Sequence, residues 1–167
     1  MAIKKQITFE GLKYNLDNRD RVSAAASEVN FSNGVQRESS DAAFTIGGDT
    51  TLLILAADAG SSRVVTMPAA KAGRFFKVIW EVEQATSDRV FTRAGSDVIG
   101  GNISTKVAGN AAGDGDVVAV AITTAAITVV DDTNIGSWLE FHCAVDGTWL
   151  VTGELVVDAV GSVPTLA

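Results

Sequence analysis

The 167-residue sequence contains one cysteine, Cys143, and one histidine, His142. A lone cysteine forms no internal disulfide, so no disulfide framework holds this fold. A lone histidine leaves a catalytic dyad or a zinc site without its usual partners. Basic residues also run out part-way along the chain. No Lys or Arg follows Lys106, whereas Asp114, Asp116, Asp131, Asp132, Glu140, Asp146, Glu154 and Asp158 all do. With a net charge of −7 and a pI of about 4.6, such a surface repels phosphate and argues against a nucleic-acid partner. No basic run or aromatic-plus-basic stripe argues otherwise. No apolar stretch follows Met1-Ala-Ile-Lys-Lys-Gln, so no signal peptide is expected. The apolar run from Val117 to Val130 is broken by Thr and is too short to span a bilayer. The expectation is a soluble chain made in a cytoplasm, with no membrane partner.

What is present points to β-structure. The apolar fraction is 47%, much of it alanine, so the core must come from scattered Val, Ile, Leu, Phe and Trp. From residue 51 onward, β-branched runs alternate with Gly, Asp, Asn and Ser. The runs are Thr51–Leu55, Arg63–Met67, Arg74–Val82, Arg89–Arg93, Val98–Ile99, Ile103–Val107, Val117–Ile122, Ala126–Val130, Ser137–Val145, Trp149–Thr152 and Leu155–Val160. That rhythm predicts an all-β fold, an antiparallel sandwich or barrel of short strands. No helical pattern lies between the runs, which disfavours a parallel βαβ sheet.

Two strands alternate cleanly. Leu139, Phe141, Cys143 and Val145 share one face, and Trp138, Glu140, His142 and Ala144 the other. Phe76, Val78, Trp80 and Val82 form an apolar face opposite Phe75, Lys77, Ile79 and Glu81. Asp146-Gly147-Thr148 supplies a tight turn that returns the chain antiparallel.

The first part of the chain differs. Residues 1–45 read as an irregular N-terminal arm and residues 46–167 as the β-domain. Residues 1–40 carry six basic and five acidic side chains, against seven and fifteen in the remainder. Gln6–Glu10 has the length of a strand, Ala24, Ala25 and Ala26 favour a helical turn within Arg21–Val29, and Asn30–Asp41 reads as loop. The arm still holds Ile7, Phe9, Leu12, Tyr14, Leu16, Val22 and Val29, too apolar for a purely solvating tail.

Candidate chemistry is sparse. His142 sits on a polar strand face without a second histidine, and Cys143 lies among Leu139, Phe141 and Val145, which makes it a small core residue. Gly113-Asp114-Gly115-Asp116 lacks the spacing of a calcium loop and reads as a turn. Ile46-Gly47-Gly48-Asp49 lacks the lysine and following helix of a phosphate loop. No catalytic, cofactor or metal site is expected. Trp138 and Trp149 flank one hairpin, where they cover either a barrel end or a subunit seam. The remaining use for them is an aromatic platform for a sugar.

Three segments carry a resemblance. Met67-Pro68-Ala69-Ala70-Lys71-Ala72-Gly73 closes one strand and opens another, Gly95–Gly101 reads GSDVIGG, and Asp146, Gly147, Trp149, Val151 and Gly153 belong to a closing hairpin. Together they resemble a pattern recurrent in structural proteins of tailed-phage virions, over about 100 residues from Leu52 to Gly153. The resemblance implies a non-enzymatic capsid decoration, or cement, protein that binds the major capsid protein on the outer surface of the phage head. The alternative is a tail, fibre or baseplate component contacting a host receptor or glycan. The resemblance, with Phe75, Ile79, Trp138 and Trp149 in excess of one core's needs, implies a homotrimer. Ile7, Phe9, Leu12, Tyr14, Trp138 and Trp149 are the expected partner interface. Residues 1–40 are expected either to attach to the capsid, by strand addition or apolar anchoring, or to lace the oligomer together.

Overall fold

The computed structural model describes residues 5–9, 12–16, 22–24, 34–39, 42–58, 62–108, 117–158 and 164–167. The chain divides into two compact units, Met1–Gly34 and Val35–Ala167. In the first, β1 (Lys5–Phe9), β2 (Leu12–Leu16) and β3 (Val22–Ala24) form an antiparallel sheet in that order. β3 overlaps the segment where alanines favour a helical turn. A short helix has a costly nucleus, and pairing of Val22, Ser23 and Ala24 with β2 wins over so weak a propensity.

The second unit contains β4 (Val35–Glu38), β5 (Phe44–Thr45), β6 (Leu52–Leu55), β7 (Arg63–Thr66), β8 (Phe75–Trp80), β9 (Arg89–Thr92), β10 (Val98–Val107), β11 (Val117–Thr124), β12 (Ala126–Val129), β13 (Trp138–Val145), β14 (Thr148–Val157) and β15 (Thr165–Leu166). A larger sheet runs β11-β10-β14-β13-β8-β6-β4, and a smaller one β15-β12-β9-β7-β5. Their inner faces share one core, in which Trp80 meets Phe91, and Phe91 meets Phe141, across the two sheets. The fold is all-β, and β4 and β5, inside the expected arm, belong to these two sheets.

The sheets are mixed rather than wholly antiparallel. β4, β6 and β8 run parallel in the larger sheet, as do β5, β7 and β9 in the smaller. Parallel neighbours need a crossover, usually a helix. Here each crossover is a strand of the facing sheet: the chain passes from β4 to β5, back to β6, and on through β7 and β8 to β9. The absence of helical pattern therefore never excluded parallel pairing.

Two pairs of expected strands are single strands. β10 runs through Gly100-Gly101-Asn102 and pairs in parallel with β14 from Val98↔Thr148 to Val107↔Val157. The glycines permit this. Gly101 has φ +137°, and a Cβ there would collide with the Val151 carbonyl; a Cβ on Gly153 would collide with that of Trp138. In the expected loop Asn30–Asp41, β4 pairs in register with β6.

The faces of β8 and β13 follow the alternation, with Phe76, Val78, Trp80, Leu139, Phe141 and Cys143 buried. Val145 is the exception and is 66% exposed. Between His142↔Leu150 and Val145↔Thr148, β13 uses one residue more than β14. This bulge inverts the alternation beyond it and turns Val145 outward.

Candidate interaction surface

The outer face of the larger sheet is built in rows by strand register. His142 lies between Phe75 of β8 and Leu150 of β14, Glu140 between Lys77 and Thr152, and Trp138 between Ile79 and Glu154. Leu52 and Ile54 of β6 continue the last two rows beside Lys77 and Ile79, and Val35 and Arg37 of β4 extend them. Val35, Phe75 and Leu150 are exposed, while Leu52, Ile54, Ile79 and Trp138 are half-buried. This apolar surface spans the sheet.

Its charges cancel in pairs. Lys77 Nζ lies 3.0 Å from Glu140 Oε1, Lys106 Nζ 2.6 Å from Glu154 Oε2, and Arg37 Nη2 2.5 Å from Glu81 Oε2. The Lys77 ammonium also sits 4.5 Å from the centre of the Trp138 ring, a cation–π contact. Its hydrogen bond to Glu140 holds that carboxyl below its ordinary range, against the partial burial that raises it. His142 Nε2 is 3.6 Å from Glu140 Oε2, and its ring packs 4.8 Å from Phe75. His142 thus belongs to the outer face of the sheet. Cys143 points the other way, and burial pushes its thiol up from the ordinary value.

Of the expected interface residues, Trp138 lies on this face and Trp149 does not. Trp149 is fully buried, packs on Phe76 and Phe141, and donates its Nε1–H to the Pro68 carbonyl at 3.3 Å. It shares the inward face of β14 with Val151, Leu155 and Val157, so the hairpin's two tryptophans point to opposite sides of the sheet. Ile7 and Phe9 lie on β1, opposite Tyr14 and Leu12 of β2 in register, and their side chains fall outside the described residues. Val35, Leu52, Ile54 and Leu150 belong to the surface although the sequence reading did not single them out. Leu150 was marked by alternation with Trp149; the others had no signal until parallel pairing placed them.

The three segments quoted above converge at one end of the sandwich. The Ala70 N–H donates to Asp97 Oδ2 at 2.6 Å, and the Ala72 N–H to Asp146 Oδ1 at 2.7 Å. Gly147 N–H donates to the Ala70 carbonyl, Val98 N–H to that of Gly147, and Gly73 N–H to that of Cys143. Asp97 and Asp146 therefore fasten the Pro68–Gly73 segment, whose proline ends a strand by removing a donor. Among the described residues no group of three His, Cys, Asp or Glu is placed to hold a metal ion, and Gly113–Asp116 lies outside them. None of the described helices is long and apolar enough to cross a membrane. Comparison with protein-family models, curated proteins and solved structures gave no match to this chain.

Proposed function

We propose that this chain is a structural protein of a tailed-phage virion, a capsid decoration protein that binds the major capsid protein on the outer surface of the head and stabilises the shell. The observation that carries this reading is the outer face of the larger sheet. Phe75, Leu150, Val35, Ile79 and Trp138 present apolar area while Lys77, Lys106 and Arg37 are each matched by a carboxylate. Burying such a face against another protein removes apolar area from water without stranding a charge, whereas an unpaired ion would oppose docking. The resemblance of the segments around Pro68, Asp97 and Asp146 supplies the virion context, and their joining into one hydrogen-bonded junction is consistent with a shared structural element.

The test is to add the purified protein to heads that lack it and to measure sedimentation with the heads and resistance of the heads to heat. Binding and a raised rupture temperature are expected, and Leu150→Glu with Phe75→Glu should abolish both. Absence of binding to heads, with the labelled protein found on tails, would favour the tail or fibre reading instead.

A further inference from the structure

The two sheets have four edges, and three are blunted. β5 and β15 are two residues long, and β4 carries Arg37 and Glu38 within four residues. β11 is different. Its eight residues, Val-Val-Ala-Val-Ala-Ile-Thr-Thr, contain no charge and no proline, and β10 is its only strand neighbour among the described residues. A long, uncharged edge is a template for another strand, which is why natural edges carry lysine, proline or charge. Apolar exposure is also concentrated here: Val117 is 69% and Ile122 59% exposed.

The irregular register with β10 adds to this. Between Ile99↔Thr124 and Gly101↔Val120, β11 uses two residues more than β10. Residues Ala121, Ile122 and Thr123 are consequently all exposed, while Val120 and Thr124 on either side are buried. A Cβ on Gly100 would touch the backbone and side chain of Ile122, so Ile122 lies over Gly100. Gly100 is beside Leu150 in the parallel pairing, and Leu150 is beside His142 and Phe75. The apolar stripe of the outer face therefore runs to the very edge of the sheet and stops at an open strand.

We propose that β11 is a self-association seam, at which β11 of a second copy pairs antiparallel about a two-fold axis and joins two larger sheets into one. Charge selects the occupant. The chain carries −7, and after Lys106 it has carboxylates and no Lys or Arg, so two copies repel over most of that region. An antiparallel two-fold sets like residues near one another, and on β11 there is no charge to oppose itself. Val118 and Val120, which face the core side, then continue the inner apolar layer into the partner, and the Ile122–Leu150–Phe75 stripe becomes continuous across the axis. This is a two-fold contact, unlike the three-fold one implied by the resemblance, and it does not depend on the capsid reading.

The experiment measures the mass of the full-length chain in solution by light scattering at micromolar concentration, alone and with Ala119→Lys plus Ile122→Lys. Both positions are exposed, so the fold should survive, as checked by tryptophan fluorescence and thermal melting. The expected result is twice the 17.3 kDa chain mass for the natural protein, with dissociation promoted by roughly a hundredfold or more in the variant. In parallel, amide hydrogen exchange across residues 117–124 of the natural chain should slow as concentration rises. A monomer mass, a three-copy mass insensitive to the lysines, or exchange at β11 independent of concentration would each overturn the proposal.

Discussion

Phe141 is the side chain on which the core turns. It stacks on Phe76 with ring centres 4.7 Å apart, lies 5.8 Å from Phe91 of the facing sheet and 6.5 Å from Trp149. Its removal leaves a cavity walled by rigid rings that cannot collapse, so Phe141→Ala should cost about 3–5 kcal/mol in chemical denaturation. Gly101 tests a different cause. Its substitution by Ala places a methyl group inside the Val151 carbonyl and strains a φ of +137°, so β10 must part from β14. A loss of stability of several kcal/mol is expected, measured as a shift in the urea midpoint without rescue by smaller neighbours. Cys143, buried and with its thiol raised, should react with a thiol reagent only after unfolding, and a native-state labelling time course checks this. Residue-level burial was legible wherever strict alternation held, as at Phe76, Val78, Leu139 and Phe141. It failed at Val145, because a one-residue bulge is set by pairing with β14 and leaves no mark in the composition of β13.

At the level of elements, the cross-strand pair Lys77–Glu140 joins β8 to β13 at directly opposite positions. The folded state depresses the Glu140 carboxyl below its ordinary value of 4.5, chiefly through the Lys77 hydrogen bond. A depressed carboxyl stabilises the fold above the unfolded value, and the contribution is lost as pH falls through the folded one. Lys77→Met should therefore lower stability at neutral pH, and the gap from the natural protein should close well below pH 4.5. Both side chains are partly open to water, so the gap is of the order of 0–1 kcal/mol. Urea denaturation at the two pH values measures it. The pairing behind this prediction was only half legible. Alternation marked Lys77 and Glu140 as outward, but which strand lies beside which depends on contacts remote in sequence. The same limit hid the parallel pairs: runs such as Leu52–Leu55 show a strand and say nothing of its direction.

For the whole molecule, the all-β class and the run of strands from residue 51 were legible because turn residues separate β-branched segments at short intervals. The order of strands was not, because the chain alternates between two sheets and uses each as the crossover of the other. The start of the sandwich at Val35 was hidden as well, since Val-Gln-Arg-Glu is an edge strand whose polar residues blend into the Ser- and Asn-rich stretch before it. That boundary sharpens the last prediction, which concerns residues 1–34. These form their own compact unit of three short strands, and none of those strands enters either sheet of the sandwich. Their removal therefore leaves every strand pair of the larger unit intact, and a chain beginning at Val35 should melt close to the full-length protein. Under the decoration reading the N-terminal unit, rich in apolar residues such as Ile7, Phe9, Leu12 and Tyr14, adds contact with the capsid protein. The shortened chain should then fold with unchanged core burial, seen as native tryptophan fluorescence, yet sediment with undecorated heads at least about tenfold more weakly. Full retention of binding would assign attachment to the sandwich alone, and a large fall in melting temperature would instead make the first unit part of the stability of the second.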